Sequence, residues 1–543
     1  MDSMGRVYSG ANYAQAYRAL VALRIVFAFL GTGYIHPDEY FQNGEVTAGS
    51  LLDLYALRTW EWNPTFPCRS IVPAFMTTGI PLALLKYAFK GNPSPWALFA
   101  IQRVSFLLLS FILDFAVARL VPQRRTLALV LLGTSHVMFT FQARPFTNSS
   151  EALLVALALI ILQDMHRKYS VTSPVAMFSS LAVVCVIGVF TRITFAAFAL
   201  PIALKALRII LNPRGQNDTS LSSRLRKILP AVIFGALTAL FFVGVDSLYF
   251  KATLVRPTLT PLNFLWYNLS PENLAQHGLH PRWLHVFVNL PMIVGLPLLL
   301  VGMQAAWSYI HADKSIKGKS EENTSSVITS TCLYVIGGSL LVLSIQPHQE
   351  PRFLTPLLVP FVVLAANSTY VHRAGKAFWL TLIIFNVALS FLFGVLHQGG
   401  VVPSLAHVHG LISTNTAPSN TVVYWKTYMP PRHLLAIPND EVRSGRISVD
   451  DLAGASVLEL QKHLRAQPNR HEDTLVYLIA PPFAIQGLDR SLVACFELDK
   501  RIFPHLDLDH IPESVEMGLH GGLSLDVRVA RMGCIWESER SAQ

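Results

Sequence analysis

The sequence predicts an all-α polytopic membrane protein of about 11 transmembrane helices, followed by a small α/β domain at its C-terminal end. Three observations carry this reading. Only 14% of the 543 residues are charged and 52% are hydrophobic, whereas a soluble domain carries about 25% charged residues. Apolar stretches long enough to be membrane spans recur between Tyr17 and His397. The basic residues fall in alternate loops, as the positive-inside rule requires.

The spans are expected at 17–34, 97–118, 126–141, 151–165, 174–190, 193–211, 229–248, 284–307, 326–345, 353–370 and 377–397. The first carries Arg18 and Arg24 and is not followed by a clean small-residue cleavage site, so it reads as a retained span rather than a signal peptide. One set of loops holds Arg119, Arg124 and Arg125; Arg167 and Lys168; Arg214, Arg224, Arg226 and Lys227; Lys314, Lys317 and Lys319; and Arg373 and Lys376. These loops, with residues 1–16, are expected in the cytoplasm. The tail, 398–543, then lies on the opposite side. The first loop on that side runs from 35 to 96. Within it, 70–90 is apolar but broken by Pro73, Gly79, Pro81 and Lys86. A crossing there would invert every later loop, so it is expected to be an interfacial helix or a re-entrant pair. The tail itself is polar, with strands expected at 421–424, 474–479 and 523–529 and a helix at 457–464. No internal repeat is evident.

The net charge of +10 is accounted for by the membrane loops. No zinc-finger spacing, stacking-aromatic motif or basic helix accompanies it, so no nucleic-acid partner is expected. The cysteines at 68, 185, 332, 495 and 534 form no Cys-x-x-Cys pair, which argues against a metal or redox site. Cys495 and Cys534 could pair if the tail occupies an oxidising compartment. Sequons at Asn148, Asn217, Asn268, Asn323 and Asn367 fall in cytoplasmic loops, in a span or close to the membrane, so little glycosylation is expected.

The chemistry gathers in the other set of loops. It contains His36-Pro37-Asp38-Glu39-Tyr40-Phe41-Gln42 with Glu45 beyond it, Arg144-Pro145-Phe146-Thr147-Asn148-Ser149, and Thr191-Arg192-Ile193-Thr194. It also contains Asn273-Leu274-Ala275-Gln276-His277-Gly278-Leu279-His280-Pro281-Arg282 and Gln346-Pro347-His348-Gln349-Glu350-Pro351-Arg352-Phe353. Ionisable groups near hydrocarbon are costly and are usually retained for function. Taken singly, each cation could instead be a snorkelling interface anchor. Asp38 and Glu39 are a candidate general base, with a helix cap by Asp38 for a helix starting at Glu39 as the lesser alternative. Arg352 and His348 beside Glu350, and Arg144 and Arg192, are candidate anion ligands. Glu350 could also be no more than the partner of Arg352. No Walker loop, dinucleotide glycine fingerprint or zinc-protease motif is present. A carboxylate base, an anion clamp and a membrane-level pocket point to transfer from a lipid-phosphate donor to a hydroxyl.

The His36-Pro37-Asp38-Glu39 block directly after a first span resembles the dolichyl-phosphate-mannose-dependent mannosyltransferases of glycosyltransferase family 22, endoplasmic reticulum enzymes of GT-C fold. The 273–282 block, followed by His285 and Asn289-Leu290-Pro291, is similar to the branch that adds the fourth, α-1,2-linked mannose to the third mannose of the GPI-anchor precursor. The segments 144–149 and 348–354 are similar to that branch too. Neighbouring branches of the family, which add the third GPI mannose or an α-1,2-linked mannose of N-glycans, are the alternative.

The resemblance implies a multi-pass protein of the endoplasmic reticulum membrane, with its site facing the lumen. It implies a dolichyl-phosphate-mannose donor, a GPI-precursor glycolipid acceptor and inversion at the anomeric carbon. On that basis Asp38 and Glu39 are expected to be catalytic, with Arg352, His348 and Arg192 holding the donor phosphate. His36, Gln42, Arg144, His277, His280 and Glu350 are expected to bind substrate. A single-phosphate leaving group does not require a metal, so neither metal nor cofactor is expected. Two other readings of the chain are a lipid or solute transporter and a non-catalytic scaffold. A transporter would place its ionisable groups near the midplane between inverted repeats.

Overall fold

A computed structural model describes residues 2–89, 93–167, 174–211, 220–253, 256–275, 278–311, 324–465 and 471–540. Lys168, Arg214, Lys314, Lys317 and Lys319 of the basic loops, the sequons at Asn217 and Asn323, and His277 lie outside the described residues.

Hydrocarbon offers no water to backbone amides, so apolar runs of this length fold as helices that satisfy themselves. Among the described residues, eight helices are long and apolar enough to cross a membrane. They are Asn12–Leu30, Ile71–Ala88, Pro95–Leu120, Thr147–Arg167, Pro174–Thr191, Ser222–Tyr249, Thr324–Ile345 and Lys376–Leu396. A ninth candidate is the pair His285–Val294 and Leu296–His311, bent by 112°. Gly295 forms the break at φ +85°, a conformation open to glycine.

Fewer full-length spans emerge than the eleven expected, for identifiable reasons. The stretch expected at 126–141 is two short helices, Arg125–Gly133 and His136–Thr140. The Ser135 side chain accepts from Val137 N and starts the second of them. At 353–370 a 3-10 turn, Pro351–Leu357, precedes Leu358–Asn367, because Pro351 and Pro356 remove amide donors. The stretch at 193–211 is the shorter helix Phe195–Leu211. In the apolar stretch of the first loop, Ile71–Ala88 is one continuous helix rather than a re-entrant pair. Its π-helical stretch, Phe75–Gly79, lies directly ahead of Pro81 and relieves the clash a proline makes with the preceding turn.

The chain divides into two compact units. One comprises Met1–Ile25, Thr59–Pro73 and Phe106–Val387. The other comprises Val26–Arg58, Ala74–Ser105 and Ala388–Gln543.

In the first unit, Thr147–Arg167 packs on Pro174–Thr191, which packs on Leu221–Tyr249. Phe195–Leu211 packs on Thr324–Ile345, and Leu358–Asn367 on both Leu296–His311 and Arg125–Gly133. Thr147–Arg167 is central, with 72% of its apolar window buried, whereas Ser222–Tyr249 buries 17% and presents Leu229, Phe234, Leu237 and Leu240 outward. In lipid such a face carries no hydrophobic penalty. Two buried carboxylates of the unit have partners. Arg24 meets Asp114 at 2.7 Å, and Tyr17 donates to the same carboxylate at 2.8 Å. Asp246 accepts from Ser70 Oγ, Ile71 N and Thr260 Oγ1 at 2.9, 3.0 and 3.1 Å, and so caps the helix that begins at Ile71.

The second unit contains a five-stranded sheet formed by β1 (Asn420–Trp425), β2 (Ile447–Leu452), β3 (Leu475–Ala480), β4 (Glu497–Ile502) and β5 (Leu525–Arg531), in the order β2-β1-β3-β5-β4. β1 is parallel to both β2 and β3, and β5 is antiparallel to β3 and β4. Strand alternation sorts the side chains onto two faces. Val423, Trp425, Val476 and Leu478 pack with Leu460, Leu464 and Leu492. On the opposite face Val422, Tyr424, Tyr477 and Ile479 pack with Leu405 and Val408 of Val401–Thr414, and with Tyr34, Tyr40, Phe41 and Leu54 of the first loop. That loop is therefore built onto the C-terminal sheet. Cys495 and Cys534 form a disulfide, with Cα atoms 5.8 Å apart.

Candidate functional site

In the second unit, the chain leaving the first span is held by Tyr34 N donating to His397 O at 2.8 Å and Tyr34 Oη donating to Met429 O at 3.0 Å. Pro37 then opens a short helix, Asp38–Phe41, whose first turn carries both carboxylates. The helix begins at Asp38 itself and has no side-chain cap, so Asp38 is not the capping residue of a helix starting at Glu39.

The two carboxylates point into different surroundings. Glu39 is 0% exposed and pairs with Arg103 at 2.6 Å; the Arg103 side chain is 1% exposed. Arg103 also donates to Tyr40 Oη at 3.3 Å and lies over the Phe99 ring. Asp38 is 24% exposed; Gln42 donates to it, and His36 Nδ1 lies 3.5 Å from its other oxygen. The Asp38 amide in turn donates to His36 Nδ1 at 3.1 Å. Asp38 is thus the solvent-reachable carboxylate of the pair, its side chain fixed by Gln42 and its backbone by the amide's bond to His36.

Glu45, at the head of the next helix, accepts from Leu57 N at 2.8 Å and from His433 N at 3.1 Å. His433 Nε2 lies 2.9 Å from Gln102 Nε2. This buried chain ties the first loop to the segment after β1.

In the first unit, the 346–353 segment gathers most of the other expected residues. Glu350 sits between a histidine and an arginine: one oxygen is 2.7 Å from His348 Nε2 and the other accepts from Arg352 Nε. His280 is drawn in by its amide, which donates to Pro347 O at 2.7 Å, and by its ring nitrogen, which accepts from Gln349 N. Gln349, almost fully buried, accepts from His285 N at 2.8 Å and donates to backbone carbonyls around it. Arg352 and Arg192 both lie over the Phe353 ring, at 5.5 and 5.3 Å from its centroid. Burial works against charge on the His348 imidazole, but the Glu350 carboxylate outweighs it and raises the pKa above its ordinary value.

Arg192 is held from its other side. It donates to Thr147 Oγ1 at 2.8 Å and lies 3.6 Å from Glu151, which accepts from Thr194 at 2.6 Å. Arg144 is fully buried in the turn before Thr147–Arg167. Among the described residues, no group of three or more His, Cys, Asp and Glu side chains is placed to hold a metal ion.

Sequence reasoning had not singled out Arg103, Gln102, His433 or Glu151. Arg103, Gln102 and Glu151 lie inside expected spans, and a charged or amide side chain in an apolar run was the signal that could have found them.

The comparisons agree with this architecture. A model of the Alg9-like mannosyltransferase family matches residues 15–436. GPI alpha-1,2-mannosyltransferase 4 of Homo sapiens is 34% identical, covering 91% of this chain and 89% of its own. GPI mannosyltransferase 4 of Emericella nidulans is 36% identical, covering 83% and 81%. The Yarrowia lipolytica enzyme of the same name is 32% identical over 92% and 98%. In fold, the chain resembles ArnT from Cupriavidus metallidurans bound to undecaprenyl phosphate, with a TM-score of 0.51 at 11% identity over 94% of this chain and 97% of that one. With its family model matched over most of its length and relatives above 30% identity covering most of it, this chain belongs to the Alg9-like mannosyltransferase family.

Proposed function

We propose that this protein transfers the fourth, α-1,2-linked mannose onto the third mannose of a GPI-anchor precursor, with dolichyl-phosphate-mannose as donor and inversion at the anomeric carbon. The observation that carries the proposal is the division of labour between the adjacent carboxylates. Asp38 is reachable and held by Gln42 and His36, while Glu39 is committed to Arg103.

In this reading Asp38 takes the proton of the acceptor 2-hydroxyl as its oxygen bonds to the anomeric carbon. The bond from that carbon to the phosphate oxygen breaks, and dolichyl phosphate leaves with the electron pair. Glu39, through Arg103, is a positioning residue that fixes the Asp38 helix. Arg352, His348 and Arg192 stabilise the charge growing on the leaving phosphate. Glu350 orients two of those cations, and His36, Gln42, Arg144, His277 and His280 serve the substrates.

The proposed topology puts residues 1–16 in the cytoplasm and 398–543 in the lumen of the endoplasmic reticulum. The Cys495–Cys534 disulfide supports an oxidising compartment for the tail. Loss of the protein should accumulate a GPI precursor carrying three mannoses. Accumulation of a truncated N-glycan lipid instead would overturn the proposal.

A further inference from the structure

The arginines that satisfy the positive-inside rule do not all serve the same end. Arg124 donates to the carbonyls of Ala366 and Ser368 at 3.0 and 2.9 Å and so closes a helix C-terminus. Arg119, Arg125 and Arg167 instead line one cleft of about 600 Å³ in the first unit, together with Tyr17, Phe111 and Phe115.

Charge in the cleft is unbalanced. Arg119 is paired with Asp164, with both carboxylate oxygens at 2.8 Å, and Asp114 in the wall is neutralised by buried Arg24. Arg125 and Arg167 are exposed and, among the described residues, have no carboxylate in ion-pair contact. Two cations of the lining are therefore left over. The lining also holds Phe111, Phe115 and Leu129, and Phe115 is 58% exposed, as a residue facing acyl chains would be.

We propose that this cleft is a binding site for an anionic phospholipid of the basic-loop leaflet. Its phosphate sits between Arg125 and Arg167, and an acyl chain lies along Phe111 and Phe115. A phosphate wants guanidinium donors, and basic pockets between transmembrane helices suit anionic lipid headgroups. A soluble anion shares the phosphate chemistry but has no use for the aromatic wall. The site is independent of the transfer chemistry, because none of its residues is given a role in that chemistry.

The test is native mass spectrometry of the full chain in detergent, titrated separately with phosphatidylserine, phosphatidylcholine and soluble glycerophosphoserine. Wild type should retain phosphatidylserine in preference to both others. Arg125→Gln with Arg167→Gln should weaken that binding roughly tenfold or more, while the matched lysine pair should keep most of it. A control removing two exposed cations of the C-terminal domain, Arg443→Gln with Arg446→Gln, should change nothing. Unchanged phosphatidylserine binding in the double glutamine variant would overturn the site. Glycerophosphoserine binding as tightly as the lipid would make it a soluble-anion site and overturn the lipid assignment.

Discussion

Glu39 and Arg103 are joined by a 2.6 Å ion pair with neither side chain exposed by more than 1%, one residue along the chain from a carboxylate that solvent reaches. Breaking such a pair leaves a buried charge without its partner. Arg103→Met should therefore destabilise the second unit by about 3–5 kcal/mol. Thermal unfolding in detergent should register this as a lower Tm or as loss of expression. The same variant with Glu39→Gln, which removes both charges, should recover much of the stability.

His348 provides a pH-dependent prediction. Burial opposes its charge and Glu350 more than compensates, so its pKa is raised from the ordinary value near 6.5. A histidine raised on folding contributes stability that is fully present below its unfolded pKa and is lost as pH rises through the folded one. If the imidazolium helps hold the donor phosphate, KM for the donor should climb over that same window. In Glu350→Gln the climb should begin at lower pH. Steady-state kinetics across the neutral range checks this: superimposable KM profiles for wild type and Glu350→Gln would separate His348 from donor binding.

The Cys495–Cys534 bridge closes a loop of 39 residues. Loop-closure entropy assigns such a bridge about 3–4 kcal/mol. Cys534→Ser should accordingly make the C-terminal segment more sensitive to proteolysis, and the effect should extend to the first loop, whose Tyr34, Tyr40 and Phe41 pack on the same sheet. Limited proteolysis with and without reductant measures both.

The helices and three of the five strands were legible because their patterns are local. Apolar runs mark spans, β1 and β3 are buried apolar strands, and β5 alternates apolar with charged residues, as 421–424, 474–479 and 523–529 suggested. β2 and β4 were not legible: Asp450 and Asp451 in one, and Glu497, Asp499, Lys500 and Arg501 in the other, are what edge strands carry. The polar loops announced His36, Asp38, His348, Glu350 and Arg352. Their partners could not be read in the same way. Lipid and protein select the same apolar residues, so the pattern of a span does not say which face is buried, and Arg103 and Glu151 carry no local mark of the residue they meet. The fixing of the first loop to the C-terminal sheet through Glu45, Gln102 and His433 joins segments more than 300 residues apart. No spacing rule reaches that far.

The central claim is that Asp38 accepts the acceptor's proton. Its most direct test is mannose transfer from dolichyl-phosphate-mannose to a three-mannose GPI precursor by purified Asp38→Asn protein in proteoliposomes, at matched protein amount and unchanged Tm. In this variant kcat should fall by about 10²–10⁴. Turnover within a few-fold of wild type from a well-folded Asp38→Asn protein would contradict it.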